Sequence, residues 1–242
     1  MPPVEFRDVS YEIAGKPILQ DLSLHVEVGE TLVLLGRSGS GKTTALKMIN
    51  GMLFPKRGQV FVDGRATTDW DPIKLRRRIG YVIQEVGLFP HFTVENNVGL
   101  VPKLEGWSAG DIESRVNLLL EKVGMPAGEF RSRYPRQLSG GQRQRVGVAR
   151  ALAADPPVLL FDEPFGALDP VMRLELQQQF VTLRQDFQKT SIFVTHDVRE
   201  ALMLGTNIAL LTAGRLDVMA PPQEFRRARS EEARAFLACL HN

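Results

Sequence analysis

The sequence contains a single cysteine, Cys239, among its 242 residues. One cysteine excludes an internal disulfide and is typical of proteins from a reducing compartment. No stretch approaches the roughly 18 consecutive apolar residues that identify a membrane-spanning helix, and the N-terminus (MPPVE) lacks the basic and apolar regions of a signal peptide. We therefore expect a cytoplasmic protein. If it serves a membrane process, it must do so by docking to another chain.

The chain also has little excess charge of either sign. Its formal net charge is +2, which is too small to favour a nucleic-acid partner on charge alone. With 43% hydrophobic and 24% charged residues, the composition is that of an ordinary globular protein. The length suits one large domain, or a core with a subdomain.

Apolar patterning predicts an α/β fold. Residues 4–35 are rich in half-covered strand patterns, and the continuous apolar run at 157–162 is typical of a parallel strand buried on both faces. Further strands are predicted at 191–195 and 207–211, with a helix opening at Asp169-Pro170 between the buried strand and the first of these. Residues 90–155 have helical character, which we interpret as an insertion into a core with a mostly parallel sheet.

The motif GRSGSGKT at residues 36–43 follows the apolar stretch 31–35 and leads into a predicted helix that includes Thr44. Strand, glycine-rich turn, Lys-Thr and helix make up the phosphate-binding P-loop. Backbone N–H groups and the helix N-terminus favour an anion there. Lys42 can reach the β- and γ-phosphates, and the Thr43 hydroxyl can ligate Mg²⁺. The alternative is a flexible Gly/Ser loop, which the flanking elements disfavour.

Polar residues end several predicted strands. Asp162 and Glu163 close the buried strand, where Asp162 is placed to help hold Mg²⁺ and Glu163 to polarise a water molecule. A loop salt bridge or a helix cap is the alternative for this acidic pair. His196 and Gln84 also follow strands. His196 is suited to a γ-phosphate contact or a structural role, and Gln84 to Mg²⁺, to water or to neither.

A second candidate anion site lies at Ser139, where LSGGQ opens a predicted helix. Ser139 is a suitable N-cap, and glycine N–H groups at a helix N-terminus can bind a phosphate. A simple capped helix is the alternative. One chain thus carries two candidate phosphate sites that are far apart in sequence.

Together these motifs resemble the ATP-binding-cassette (ABC) ATPases over essentially the whole chain. Residues 138–142 are similar to the family signature, 36–43 to the Walker A, 158–163 to the Walker B, 166–169 to the D-loop, and Gln84 and His196 to the Q- and H-loops. The resemblance implies a P-loop NTPase (RecA-like) α/β core with an antiparallel β subdomain and an inserted α-helical subdomain. We expect one domain over 1–242, with core and β subdomain at about 1–84 and 157–242 and the helical subdomain at about 85–156.

The resemblance also implies ATP and Mg²⁺ as cofactors and a head-to-tail dimer. Each ATP would lie between the Walker A of one subunit and the signature of the other. The predicted catalytic residues are Glu163 and His196, and the predicted metal-binding residues are Thr43, Gln84 and Asp162. The predicted nucleotide-binding residues are Gly36, Arg37, Ser38, Gly39, Ser40, Gly41, Lys42, Thr43, Thr44, Ile13, Ser139, Gly141 and Gln142.

The adenine contact departs from the family pattern. The family usually places an aromatic residue there, and by spacing from Gly36 that position is Ile13. Either Ile13 provides an apolar contact, or the loop shifts and Tyr11 stacks on the base.

The segment that follows Gln84 bears on what hydrolysis drives. Residues 78–91, RIGYVIQEVGLFPH, are similar to bacterial importer ATPases and most resemble the glycine betaine/choline branch. This implies a membrane permease as partner, indirectly a solute-binding protein, and a place on the inner face of the membrane. An osmoprotectant is the expected solute. The alternatives are a soluble ABC ATPase that acts on DNA or ribosomes, and an exporter ATPase subunit.

Overall fold

A computed structural model describes residues 1–84, 87–166 and 168–240. The strands are β1 (Val4–Ile13), β2 (Lys16–Val26), β3 (Thr31–Leu35), β4 (Arg57–Val62), β5 (Arg65–Ala66), β6 (Ile79–Val82), β7 (Val158–Asp162), β8 (Thr190–Thr195), β9 (Asn207–Thr212) and β10 (Arg215–Ala220). Glu85 and Val86 of the predicted importer segment, and Ala167 of the predicted D-loop, lie outside the described residues.

The helices lie between and after these strands. They are α1 (Lys42–Ile49), α2 (Pro72–Arg77), α3 (Val94–Val98), α4 (Leu100–Leu104), α5 (Ala109–Lys122), α6 (Ala127–Phe130), α7 (Gly140–Leu152), α8 (Pro170–Phe187), α9 (Val198–Leu204), α10 (Pro222–Phe225) and α11 (Glu231–Ala238), with a short 3-10 helix at Pro135–Gln137. Helices α3 to α7 follow in succession between β6 and β7.

The chain divides into two compact units. One comprises Met1–Arg76 and Gln188–Asn242, and the other comprises Arg77–Phe187. The second unit contains β6 and β7 as well as helices. The predicted division at about residues 85 and 156 therefore stays a prediction.

The first unit contains an antiparallel sheet with the strand order β2-β1-β4-β5. Alternate residues of β1, including Val4 and Phe6, are buried, as the apolar pattern predicts. The pairing of β1 with β2 shifts register around Asp8 and Asp21, which both have positive φ angles. These irregularities bend the hairpin without moving its apolar face out of the core.

The first unit also contains parallel strands. β3 pairs in parallel with β8 on one side and β9 on the other, and β10 is antiparallel to β9. All five residues of β3 are buried, which explains its continuous apolar sequence. Leu35 lies opposite Thr195, so the residues that follow β3 and β8 emerge at the same edge of the sheet. The predicted α/β fold with an antiparallel β subdomain is confirmed.

In the second unit β6 pairs in parallel with β7, and Val82 lies opposite Phe161. Helix α7 packs against β6, and Gly80 permits a close approach. A Cβ atom on Gly80 would lie 2.3 Å from the carbonyl oxygen of Ala151. α7 also packs against α3, α5 and α8, so it is the central helix of this unit.

Side chains cap the first turns of α5 and α8, and the predicted helix start at Asp169-Pro170 is confirmed. The Oγ of Ser108 accepts a hydrogen bond from the backbone N–H of Asp111 at the start of α5, at 3.2 Å. At the start of α8, Asp169 accepts from the backbone N–H groups of Val171 and Met172. These side chains satisfy N–H groups that a helix leaves unpaired in its first turn.

Candidate functional site

The loop at residues 36–43 connects β3 to α1 in the first unit. Gly39 and Gly41 have φ angles of 79° and 100°, in the region that favours glycine. A Cβ atom on Gly41 would lie 2.6 Å from a Leu19 methyl group and 2.8 Å from the Ile18 carbonyl oxygen. The loop therefore lies directly against β2, and its fold requires glycine at this position.

The side chain of Lys42 is folded back into its own loop. It is only 4% exposed, and its Nζ donates to the carbonyl oxygens of Gly36 and Arg37, each at 2.8 Å. A buried ammonium group is costly unless hydrogen bonds compensate it. These two bonds hold the positive charge at the N-terminal end of α1, where the helix dipole also favours an anion.

Ser40 provides a further indication of a ligand. Its Oγ is buried and, among the described residues, has no hydrogen-bond partner. The same oxygen lies 2.5 Å from where a Cβ atom on Gly36 would be, so it belongs to the inner face of the loop. A buried hydroxyl without a partner costs stability unless a ligand or water satisfies it. A phosphate oxygen would accept its hydrogen.

The remaining loop residues are more accessible. Ser38 is exposed, and Thr43 and Thr44 are half-buried in the first turn of α1. Arg37 points outward, and its Nε lies 2.6 Å from Oε1 of Glu232 in α11. This hydrogen bond and charge raise the pKa of the Arg37 guanidinium above its usual value.

His196 is exposed immediately after β8. Because Leu35 and Thr195 lie opposite each other, His196 and Gly36 emerge at the same edge of this sheet. Asp197 caps α9 by accepting a hydrogen bond from the Arg199 N–H at 2.8 Å. Within the first unit, the structure thus brings the histidine and the P-loop to one edge.

At the expected adenine position, Ile13 is 55% exposed at the end of the β1–β2 hairpin. Tyr11 is half-buried and pairs with Leu19, the residue that contacts Gly41 of the P-loop. Both side chains therefore remain candidates, and the adenine contact at Ile13 stays a prediction.

In the second unit, the half-buried Asp162 ends β7 and is joined to the neighbouring strand. The hydroxyl of Tyr81 on β6 lies 3.2 Å from Oδ2 of Asp162 and donates to it. Burial of the phenol, together with the charge and hydrogen bond of Asp162, raises the pKa of Tyr81 well above its usual value. Tyr81 therefore remains protonated and holds one carboxylate oxygen in place.

Glu163 has a φ angle of 45°, a left-handed conformation that is strained for this residue type. The backbone N–H of Gly166 donates to the carbonyl oxygen of Glu163 at 3.1 Å. A Cβ atom on Gly166 would lie 3.3 Å from Nε2 of Gln84 and 3.9 Å from Oε2 of Glu163. The structure thus brings together Gln84 and Glu163 around this glycine.

Ser139 and Gln142 form a capping box at the start of α7 in the second unit. The Ser139 Oγ accepts from the Gln142 N–H at 3.2 Å, and the Gln142 Oε1 accepts from the Ser139 N–H at 2.9 Å. Gly141 is covered by Met172, whose Cε lies 2.1 Å from where a Cβ atom on Gly141 would be. Any side chain at position 141 would displace this methionine.

Thr43 in the first unit and Asp162 in the second each offer an oxygen atom of the kind that Mg²⁺ prefers, and Mg²⁺ is bound through few protein ligands together with phosphate oxygens. Among the described residues, there is no cluster of three or more His, Cys, Asp or Glu side chains that could hold a metal by itself. A metal that arrives with the nucleotide is consistent with this donor set.

The sequence patterns identify neither the hydrogen bond from Tyr81 to Asp162 nor the burial of Asn97 in α3. No local pattern signals the Tyr81 contact, because it depends on the pairing of β6 with β7. Asn97 occupies the buried face of α3 with Val94 and Val98. A polar residue among apolar ones at helical spacing is the signal that could have identified it.

The ABC transporter family matches residues 19–166. The osmoprotectant import ATP-binding protein OsmV of Salmonella typhimurium is 49% identical over 212 residues, which cover 87% of this chain and 56% of that protein. The choline transport ATP-binding protein OpuBA of Bacillus subtilis is 47% identical over 218 residues, which cover 90% and 57%. The chain thus spans little more than half the length of these relatives.

A solved structure agrees with the fold. The dimeric ATP-binding cassette MJ0796, in a post-hydrolysis state bound to ADP and Pi, has a TM-score of 0.79 and 33% identity, covering 90% of this chain and 98% of that one. In the part of the chain that is described, every helix is too short or too polar to cross a membrane.

Tyr81→Phe tests the hydrogen bond to Asp162. A residue that holds a metal ligand in place typically contributes to the metal affinity. With Mn²⁺ as a paramagnetic substitute for Mg²⁺, we expect this change to weaken metal binding to the ADP-bound protein roughly tenfold. Nucleotide affinity without metal should stay unchanged. Electron paramagnetic resonance of free Mn²⁺ measures this directly. Tyr134→Phe is the matched control, and an equal loss in both variants would contradict the assignment.

Proposed function

The chain belongs to the ABC transporter family, and we propose that it is the ATP-hydrolysing subunit of an importer. Two such subunits would act as a head-to-tail pair and drive a separate membrane permease. The relatives in osmoprotectant and choline import support this proposal, as does the dimeric form of the similar cassette.

The observation that carries the proposal is the presence of two helix starts suited to phosphate in one chain. α1 begins at the buried Lys42, and beside it lies the Ser40 hydroxyl, which has no hydrogen-bond partner within the described part of the chain. α7 begins at Ser139 with two glycines in its first turn. A chain that binds one ATP in isolation has no need of the second site. In a two-fold dimer, each site completes the other's pocket.

The proposed roles follow from the local chemistry. Lys42 and the loop N–H groups would bind the β- and γ-phosphates, and Thr43 and Asp162 would hold Mg²⁺, which offsets phosphate charge when bound. Glu163 would accept a proton from the attacking water as the bond between the γ-phosphorus and the bridging oxygen breaks, leaving ADP and phosphate. His196 would orient the γ-phosphate. Positioning and electrostatics would supply most of the rate gain.

The permease partner is supported by a groove in the second unit. It has a volume of about 480 Å³ and is lined partly by Phe92, Leu100, Trp107 and Ile112. Phe89, close to Phe92 with ring centroids 5.3 Å apart, is 40% exposed. The groove is also lined by the polar side chains of Glu95, Asn96, Lys103 and Glu113. A groove that combines apolar and charged side chains suits a short amphipathic helix of a permease loop.

The proposed site is tested by Glu163→Gln, which removes the proton acceptor but retains the shape of the side chain. We expect this variant to bind MgATP, to hydrolyse it at least about a hundredfold more slowly, and to accumulate as a dimer. Light scattering after gel filtration measures the dimer. Glu175→Gln, an exposed carboxylate on α8, is the matched control. Near-normal turnover of Glu163→Gln would remove Glu163 from its role.

The proposed solute class is tested by reconstituting the protein with its co-purifying permease and binding protein. We expect glycine betaine or choline to stimulate ATP hydrolysis several-fold, whereas spermidine and sulfate should not. Stimulation by a control solute would overturn the osmoprotectant assignment. Co-purification with ribosomes or DNA in place of a permease would overturn the transport function itself.

A further inference from the structure

The side chain of Asn97, on α3, forms hydrogen bonds with the backbone of the preceding segment. We call residues 87–93 the aromatic segment. The Asn97 side chain is fully buried. The Oδ1 atom accepts from the Phe89 N–H at 2.8 Å, and the Nδ2 atom donates to the carbonyl oxygens of Phe89, Phe92 and Thr93 at 2.9–3.2 Å. One amide thus satisfies four backbone groups of the segment, which would otherwise need water or another partner.

The N-terminus of α3 is hydrogen-bonded to the loop at 131–133. The N–H groups of Val94 and Glu95 donate to the carbonyl oxygens of Arg133 and Arg131 at 2.8 and 3.0 Å. The Arg131 guanidinium also contacts both carboxylate oxygens of Glu95 and reaches Glu113. These bonds raise the pKa of Arg131 above its usual value. The two parallel hydrogen bonds between the Arg131 guanidinium and the Glu95 carboxylate, which we call the fork, fix the orientation of the loop as well as its position.

The residues between the loop at 131–133 and the signature are restricted by their own local hydrogen bonds. The Gln137 Oε1 accepts from the Tyr134 N–H at 2.7 Å across the 3-10 helix at Pro135–Gln137. Arg143 on α7 then donates to the carbonyl oxygen of Leu138 at 2.7 Å. Each short piece between residues 131 and 139 is thus closed by its own hydrogen bond, which restricts movement of the loop relative to Ser139.

A second connection joins the aromatic segment to the far end of the same helix. Arg150, in the last turn of α7, donates from Nη1 to the carbonyl oxygen of Gly87 at 2.9 Å. Burial lowers the pKa of the Arg150 guanidinium below its usual value. The segment is therefore attached to α7 at its C-terminal end directly and at its N-terminal end through α3.

We propose that Asn97 is a positioning residue, which makes the aromatic segment and the signature at 138–142 move as one body. A partner that displaces Phe89 or Phe92 would then also move Ser139. The inference rests on the proposed function for its role in transport. Its first test, by hydrogen exchange, uses the nucleotide-free chain and does not depend on that function.

Asn97→Asp replaces the Nδ2 donor by an acceptor that faces three carbonyl oxygens. Hydrogen exchange followed by mass spectrometry on the full chain reports each segment separately. We expect exchange to quicken at least about tenfold in peptides covering both 87–93 and 134–142. Peptides covering the P-loop should be unchanged. Asn96→Asp, an exposed neighbour on α3 with the same change of charge, is the matched control.

A second readout separates positioning from a general loss of stability. In the Asn97→Asp protein we expect kcat for ATP to fall about tenfold, with KM and ATP affinity changed less than about twofold. Acceleration confined to 87–98, with unchanged exchange at 134–142, would overturn the proposal. So would the same effects in Asn96→Asp.

If Asn97→Asp does not fold, Glu95→Gln is a milder test of the path from α3 to the signature, because Glu95 joins α3 to Arg131. It weakens the fork with Arg131, whereas the matched Glu129→Gln weakens the surface pair with Arg133. We expect faster exchange at 134–142 in Glu95→Gln only. Equal exchange in the two variants would contradict the connection.

Discussion

The rest of the structure depends on one constraint, which is that a positive charge must stay buried at the start of a helix. Lys42 is held there by two carbonyl oxygens of its own loop. The loop can turn back in this way only because Gly39 and Gly41 take left-handed conformations and Gly41 leaves room for β2. The buried β3 fixes where the loop begins. The shape of the cradle is therefore set by the chain's own backbone and packing, so that binding a nucleotide would require little reorganisation.

A preformed cradle cannot by itself account for the proposed transport function, since it would bind phosphate whatever happens elsewhere. The second unit supplies what is missing in the proposed function. There Asp162 is held by Tyr81, Glu163 is strained, and Ser139 begins α7. Because α7 is also connected to the aromatic segment through Asn97, the residues that would complete the partner's site are attached to the surface that would meet a permease.

Local motifs were predictable from the sequence because their chemistry is contained in a few adjacent residues. The P-loop, the Ser139 cap and the strand that ends at Asp162 each need only their own neighbours. Tyr81 and Asn97 were not predictable in the same way. Their partners are set by strand pairing and by the path of a loop, so a hydroxyl or an amide gains its role only after the chain has folded. Which of Ile13 and Tyr11 would meet adenine depends on an irregularity of the β1–β2 hairpin that no local pattern specifies.

The central claim is that the P-loop of one chain meets the signature of another. The single cysteine makes this directly measurable, because Cys239→Ser gives a chain without thiols. Ser38→Cys in one such chain and Ser139→Cys in a second are mixed, both with Glu163→Gln, and treated with a short bifunctional thiol reagent. The account predicts a heterodimer that is cross-linked only when MgATP is present. No cross-link in the mixture, with efficient cross-linking inside a single chain that carries both cysteines, would contradict it.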